Sequence, residues 1–262
     1  MRALILTLSA FIATTAHAGW FFDDCQAQAA RTAVQPAAGV TRVVIIARAG
    51  FLHVEGHPGA TEIRASGQAC AASESQLSGI VLSGTRSGNE VRIEAVIPHE
   101  NDSFFSSSPK LDFTVTLPAG IAVDIADTSG EMTISNVGNA KINDTSGGID
   151  VRHVTGNLTV RDTSGGIDIE DVTGDVLIPS DTSGSIDIHG VGGSVTIDED
   201  GSGSVEIRHV KRNVLIGTKG SGSVSVADVG GDFTVREKGS GSIDYERVSG
   251  RISVPDRHRH RD

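Results

Sequence analysis

One short phrase recurs seven times across residues 127–241, and nothing else in the 262-residue chain restricts its fold as much. It reads D-T-S-G at Asp127, Asp144, Asp162 and Asp181, D-G-S-G at Asp200, and K-G-S-G at Lys219 and Lys238. The steps between them are 17, 18, 19, 19, 19 and 19 residues. A fixed period of that size is the signature of a solenoid, in which each repeat is one coil stacked on the last.

The apolar residues between the corners keep register with the phrase. Ile167, Ile169, Val172, Val176 and Ile178 are matched by Ile186, Ile188, Val191, Val195 and Ile197, and by Val205, Ile207, Val210, Val214 and Ile216. Each i, i+2 pair of β-branched residues around a polar one predicts a short strand with one buried face. Each coil thus holds two strands, separated by the Ser-Gly corner and by a second corner such as Val-Thr-Gly-Asn (residues 154–157). Glycine at both corners predicts positive φ there. Hairpins of a sandwich would give turn signals at similar spacing. Identical phrases at one period favour parallel stacking, like on like, at about 4.8 Å per coil. The expected fold is all-β: a parallel β-solenoid of about seven two-stranded coils with an N-terminal β region. One coil cannot close a core by itself, so the coils stand or fall together and the end coils need caps.

The expected segments are an export signal at 1–18, an N-terminal segment at 19–39, a β-strand region at 40–120, the solenoid at 121–255 and a basic tail at 256–262. Residues 1–18 carry a basic Arg2, an apolar run and Ala16-His17-Ala18 as a small-residue cleavage site. The run is shorter than a bilayer span, and no cysteine stands at the cleavage site for a lipid anchor. The expected location is outside the cytoplasm, in the bacterial periplasm or at the cell surface. Trp20-Phe21-Phe22 forms an aromatic cluster beside Cys25; the other cysteine is Cys70, and two cysteines in an exported chain predict one disulfide. Strands are expected at 42–47, 52–55, 61–65, 91–97 and 111–117, with a polar Ser-rich loop at 101–109.

The run L-D-F-T-V-T-L-P-A-G-I-A-V-D-I-A-D at 111–127 leads into the first T-S-G. With the T-S-G-G-I-D-I coils, it resembles the bacterial putative-adhesin family of β-strand-repeat proteins, over residues 40–255. The resemblance implies an exported, solenoid-like cell-envelope protein and supplies no catalytic residues. The last three coils depart from its pattern, with Gly201, Gly220 and Gly239 in place of Thr.

In a parallel stack Asp127, Asp144, Asp162, Asp181 and Asp200 form one column, and Asp150, Asp168, Asp187, Glu206 and Asp244 another on an outward face. Like charges at one-coil spacing repel unless something intervenes. Either each corner carboxylate accepts N–H groups of its own Thr-Ser-Gly, or calcium bridges the column through hard carboxylate oxygens, though the G-G-x-G-x-D phrase of calcium-bound rolls is absent. No other cofactor is expected.

Seven equivalent serines (Ser129, Ser146, Ser164, Ser183, Ser202, Ser221, Ser240) read as a ladder rather than a nucleophile, which needs one base beside one hydroxyl. His153, His189 and His209 read as surface residues, and His258 and His260 as part of a solvated tail. No P-loop, dinucleotide fingerprint, H-E-x-x-H or C-x-x-C occurs, and an acidic exported chain disfavours nucleic acid. Two function classes remain: a non-enzymatic envelope module whose repeated faces bind a polymer, surface or protein, and an extracellular polysaccharide-active enzyme using Asp and Glu on one face. Scarce aromatics favour the first.

Charge divides along the chain. Residues 121–200 carry 15 acids against 3 bases, and residues 201–262 carry 8 against 11. The expectation is a basic C-terminal end, with Lys211, Arg212, Lys219, Lys238 and Arg251 facing an anionic partner.

Overall fold

The computed structural model describes residues 25–98 and 109–255; the expected export signal, Trp20-Phe21-Phe22, most of the Ser-rich loop, and the tail with His258 and His260 lie outside the described residues. The repeats alternate between two eleven-stranded sheets, one strand of each coil in either sheet. Counting in chain order, β8 (Ala122–Ala126) and β9 (Met132–Ser135) make the first T-S-G coil, as fixed by the seven N-terminal strands given below. It is followed by β10 (Ala140–Asn143) with β11 (Ile149–Val154), β12 (Leu158–Arg161) with β13 (Ile167–Val172), and β14 (Val176–Ser183) with β15 (Ile186–Val191). Then come β16 (Val195–Ser202) with β17 (Val205–Val210), β18 (Val214–Ser221) with β19 (Val224–Val229), and β20 (Phe233–Lys238) with β21 (Ile243–Val248). A two-residue β22 (Ile252–Ser253) begins an eighth.

Pairing is parallel and like on like: Ile167↔Ile186, Ile169↔Ile188 and Val172↔Val191 in one sheet, Val176↔Val195 and Ile178↔Ile197 in the other. Ile169, Ile188, Ile207 and Val226 are 0–1% exposed, an unbroken inward column. The β-branched residues form strands here because their stiff side chains interdigitate across a thin two-sheet core.

Glycine works differently at the two corners. The Ser-Gly glycines do take positive φ, from 100° at Gly222 to 147° at Gly184. At the second corner positive φ falls instead on Asn136, His153, Asp171, Gly190, His209, Asp228 and Arg247. Gly156 and Gly174 are needed there for space: a Cβ on Gly174 would lie 2.6 Å from the carbonyl oxygen of Gly156, one coil below. The expectation of positive φ at both sets of glycines is corrected accordingly. The second corner also carries a ladder the sequence reading passed over. The side-chain oxygens of Asn139, Asn157, Asp175, Asn213 and Asp232 accept the backbone N–H of Asn157, Asp175, Ser194, Asp232 and Arg251, each in the next coil.

The N-terminal strands belong to the same stack. β1 (Ala27–Pro36), β2 (Arg42–Ile46), β3 (Leu52–His57), β4 (Glu62–Ala71), β5 (Val81–Ser87), β6 (Glu90–Val96) and β7 (Lys110–Pro118) surround a one-and-a-half-turn helix α1 (Glu74–Gly79). The β2/β3 coil lies between β6/β7 on one side and β8/β9 on the other, all parallel. Beyond β6/β7 the polarity reverses, with β4 antiparallel to β7, β1 antiparallel to β4 and β5 antiparallel to β6. These strands close the core. Arg31 donates to the carbonyls of Ile80 and Leu77, Gln35 to Gly84, and Arg86 to Pro36 and Ala38, tying β1 across the gap between the sheets. Cys25 and Cys70 are bonded, with Cα atoms 5.5 Å apart, which fixes the start of β1 to the end of β4.

Among the described residues the opposite end has no such closure. β21 and β22 are the outermost strands of their sheets. Tyr245 and Ile252, whose counterparts one coil earlier are buried, are 46% and 38% exposed.

Candidate functional site

The corner aspartates face inward. Asp181, Asp200, Lys219 and Lys238 pair in register along successive strands. Asp127 stands above Ala47, whose N–H donates to the carbonyl of Ala126. The column therefore runs Ala47, Asp127, Asp144, Asp162, Asp181, Asp200, Lys219, Lys238. Its five carboxyls are 2–7% exposed and Lys219 is completely buried. In the first three coils Oδ1 accepts the N–H of the following threonine at 2.7 Å, and in the fourth it accepts from Ser183 at 3.2 Å. The local hydrogen-bonding reading thus accounts for one oxygen in each of those coils. The other, Oδ2, is buried without a partner in Asp127, Asp144, Asp162 and Asp181. Asp200 has lost the threonine and instead lies 3.0 Å from the ammonium of Lys219, as an ion pair without an aligned hydrogen bond. Lys219 also donates to the carbonyl of Ser221.

Burial drives the carboxyl pKa values upward. Asp127 is pushed up to about 7 by loss of solvent and then by the neighbouring Asp144, against the opposing bond from Thr128. Asp181 is pushed up to about 6 by burial and by Asp200 and Asp162. Asp144 and Asp162 are raised for the same primary reason, and Asp200 is raised by burial against the pull of Lys219. Desolvation outweighs the backbone bonds because one hydrogen bond per carboxylate replaces only part of its hydration.

On the second corner a groove of about 940 Å³ runs across five coils. One lip follows the positive-φ column, Asp171, Gly190, His209, Asp228 and Arg247; the other follows Thr173, Gly192, Lys211, Gly230 and Ser249. The left-handed backbone turns the first set of side chains out of the sheet plane. Arg247 donates from Nε and Nη2 to the two carboxylate oxygens of Asp228, at 2.5 and 3.0 Å, and Nε2 of His209 lies 3.6 Å from the same carboxylate. Gly190 leaves a gap in the lip between Asp171 and His209. Sequence reading treated His153 and His209 as surface residues; their exposure agrees, and their backbone conformation is the part it missed.

The outward acids Asp150, Asp168, Asp187 and Glu206 pair in register. Arg152 binds Asp150 through two donors, and Arg208 pairs with Glu206. Burial, with Glu206 and Asp168 beside it, raises the pKa of Asp187. The serines are a ladder: the hydroxyls of Ser146 and Ser164 donate to the carbonyls of Thr128 and Thr145 one coil below. Among the described residues no three His, Cys, Asp or Glu side chains converge to hold a metal ion.

The expected anionic-partner patch is corrected at Lys219. Lys219 is inside the corner paired with Asp200, because a lysine in the slot of the aspartate column neutralises its neighbour instead of reaching solvent. Half-buried Lys238 donates to the carbonyl of Ser240. Arg251 lies 3.5 Å from Asp232. Of the five, Lys211 and Arg212 are exposed with no ion pair among the described residues.

No family model matches the chain, and no curated protein does either. Among solved structures, it is similar to a putative adhesin of Bacteroides fragilis at 12% identity and a TM-score of 0.48, over 88% of this chain and 99% of that one. It is also similar to a putative cell adhesion protein of Clostridium sporogenes, at 12% identity and a TM-score of 0.42, over 87% and 100% of the two chains. A putative adhesin of Parabacteroides distasonis matches at 12% identity and a TM-score of 0.41, over 84% and 97%.

Proposed function

We propose that this protein is an exported, non-enzymatic binding module of the bacterial cell envelope that holds an extended polymer along its second corner. The groove carries the reading. It is open along its length and crosses five coils, so the same backbone corner returns about every 4.8 Å while the side chains on its two lips change from coil to coil. An extended chain can follow the groove over all five coils and reach the polar groups at Asp171, Thr173, His209, Lys211 and Ser249, whereas a compact ligand would leave most of the groove unused. Polar lips of charged and hydroxyl groups suit a hydroxyl-rich polymer such as an envelope glycan. Export is supported by the signal pattern at 1–18 and by the Cys25–Cys70 bond, since disulfides persist in oxidising compartments. No helix among the described residues is long and apolar enough to cross a membrane.

The polysaccharide-active alternative would use the outward acids, of which Asp187 has a raised pKa beside Asp168 and Glu206. Their uniform repetition and their pairing with Arg152 and Arg208 suit a solvated face better than one acid and one nucleophile in unlike environments. Sedimentation of residues 19–262 with purified envelope glycan tests both readings. Lys211→Glu with Ser249→Trp, which reverses one charge and fills the end of the groove, should weaken binding at least tenfold. Unchanged binding by that variant would remove the groove from the reading, and new reducing ends would replace the module with an enzyme.

A further inference from the structure

The corner column presents five carboxyls stacked at one-coil intervals inside a sealed corner, every one of them with at least one buried oxygen that makes no hydrogen bond to a protein group. A buried unsatisfied carboxylate oxygen costs free energy, and neighbouring ionised carboxylates add repulsion. Calcium would need six to eight oxygens. From Asp127 to Asp181 each coil has only one unpartnered oxygen to offer, because Oδ1 already holds a backbone N–H, and among the described residues no three His, Cys, Asp or Glu side chains converge. A proton needs only two oxygens. A carboxylic acid in one coil can donate its O–H to the free oxygen of the next, which satisfies both orphan atoms and removes one charge from each neighbouring pair.

We propose that the column from Asp127 to Asp200 is a proton-binding site, in which adjacent carboxyls share protons along the rod axis, so that folding takes up protons from solution. The geometry closes the column at both ends. Buried Ala47 lies below Asp127, so no cation competes there, while Lys219 supplies the last carboxyl, Asp200, with a charge in place of a proton. The charged groups acting on the column are its own members and Lys219, with Lys238 one coil beyond.

The sign follows from linkage. The folded carboxyls bind protons more tightly than their unfolded counterparts, so their contribution to stability is full below the ordinary Asp value near 4. It is lost as pH rises through the folded values, which reach about 6 at Asp181 and about 7 at Asp127. Each proton taken up on folding makes the folding equilibrium about tenfold less favourable per pH unit through that window. A rod in an acidifying envelope therefore tightens, where most acidic proteins loosen.

The test compares wild type with Asp144→Asn/Asp162→Asn, in which the amide oxygen still accepts the threonine N–H and the amide nitrogen replaces the shared proton. Urea midpoints are read from pH 5 to pH 8, alongside infrared spectra of the folded proteins at pH 6. Wild type should lose at least tenfold in folding constant per pH unit between pH 5 and pH 7 and show a protonated-carboxyl band. The variant should have a flatter profile, a weaker band, and a higher midpoint than wild type at pH 8. Three results would each overturn the proposal: a wild-type midpoint that is flat or rises with pH, absence of the protonated-carboxyl band, or a midpoint raised by calcium and lowered by chelator. Where the double variant does not fold, Asp127→Asn and the wild-type spectra decide the matter alone.

Discussion

Replacing Lys219 with methionine removes the charge while keeping most of the volume of a completely buried side chain. The ammonium lies 3.0 Å from Asp200. At that distance and an effective dielectric constant of about 20, the attraction is about 5 kcal/mol, partly offset by the cost of burying the lysine itself. The methionine variant escapes the lysine's share but leaves Asp200 buried and unneutralised, a change that costs about 3–5 kcal/mol. Asp200 has one way out, which is to take a proton. Protonating a carboxyl of ordinary pKa near 4 costs about 5–6 kcal/mol at pH 8 and about 1–2 kcal/mol at pH 5. The expected loss is therefore about 3–5 kcal/mol at pH 8 and at most about 2 kcal/mol at pH 5. Urea unfolding at both pH values, with hydrogen exchange over residues 214–253, measures it; the exchange data matter because coils can open locally without the whole rod unfolding. The double variant Asp200→Asn/Lys219→Met, with no charge left to neutralise, should return to within about 1 kcal/mol of wild type. A single variant that is as stable as wild type at pH 8, or that loses as much at pH 5 as at pH 8, would refute the reasoning.

Other outcomes follow from the stack. Gly165→Ala places a Cβ 1.7 Å from the carbonyl oxygen of Gly147 at a φ of 140°; strain alone costs about 1–3 kcal/mol before the clash is counted, and a thermal melt should show at least that loss. Ile188→Asp puts a charge into the inward column and should leave no cooperative melt; a soluble, cooperatively melting variant would contradict the parallel-coil packing. Cys25→Ser/Cys70→Ser should lower stability by about 2–5 kcal/mol in urea unfolding, with the earliest exchange in β1. Asp228→Asn removes one of the two charges that hold Arg247 on the groove lip, while Glu246 still pairs with it and asparagine tolerates the φ of 58° there, so the melting temperature should stay within about 2 °C of wild type.

The repeat made the solenoid legible because identical residues at one interval have only one way to be neighbours in a parallel stack. Ile167, Ile186 and Val205 could be placed inward from alternation alone. The N-terminal closure was harder to see. β1 reads A-Q-A-A-R-T-A-V-Q-P, nearly devoid of the β-branched alternation that marks a strand, and it is a strand because β4 pairs with all ten of its residues. β5 and α1 were missed for a similar reason, since their structure is set by the end of the core they cover. Lys219 was placed on the surface by its charge, although its slot pointed elsewhere. The position held by aspartate in five coils passes to lysine in the sixth, and in-register stacking makes those two side chains neighbours. The groove was hidden because positive φ at Asp171, His209, Asp228 and Arg247 has no glycine to announce it.

The unlike ends of the rod bear on the order in which it is made. The antiparallel strands, the helix and the disulfide that finish one end come from the first part of the chain, and the end that has no such closure among the described residues is built last. A chain that appears from its N-terminus thus completes a rigid foundation before any T-S-G coil emerges, and every later coil is laid on a surface whose register is already decided. Near-identical repeats are otherwise prone to skipping a step, since one coil fits another's place almost as well as its own. Growth from a single foundation in a single direction removes most of those wrong placements, and it leaves the last surface, with Tyr245 and Ile252, shaped like a bed for one more coil.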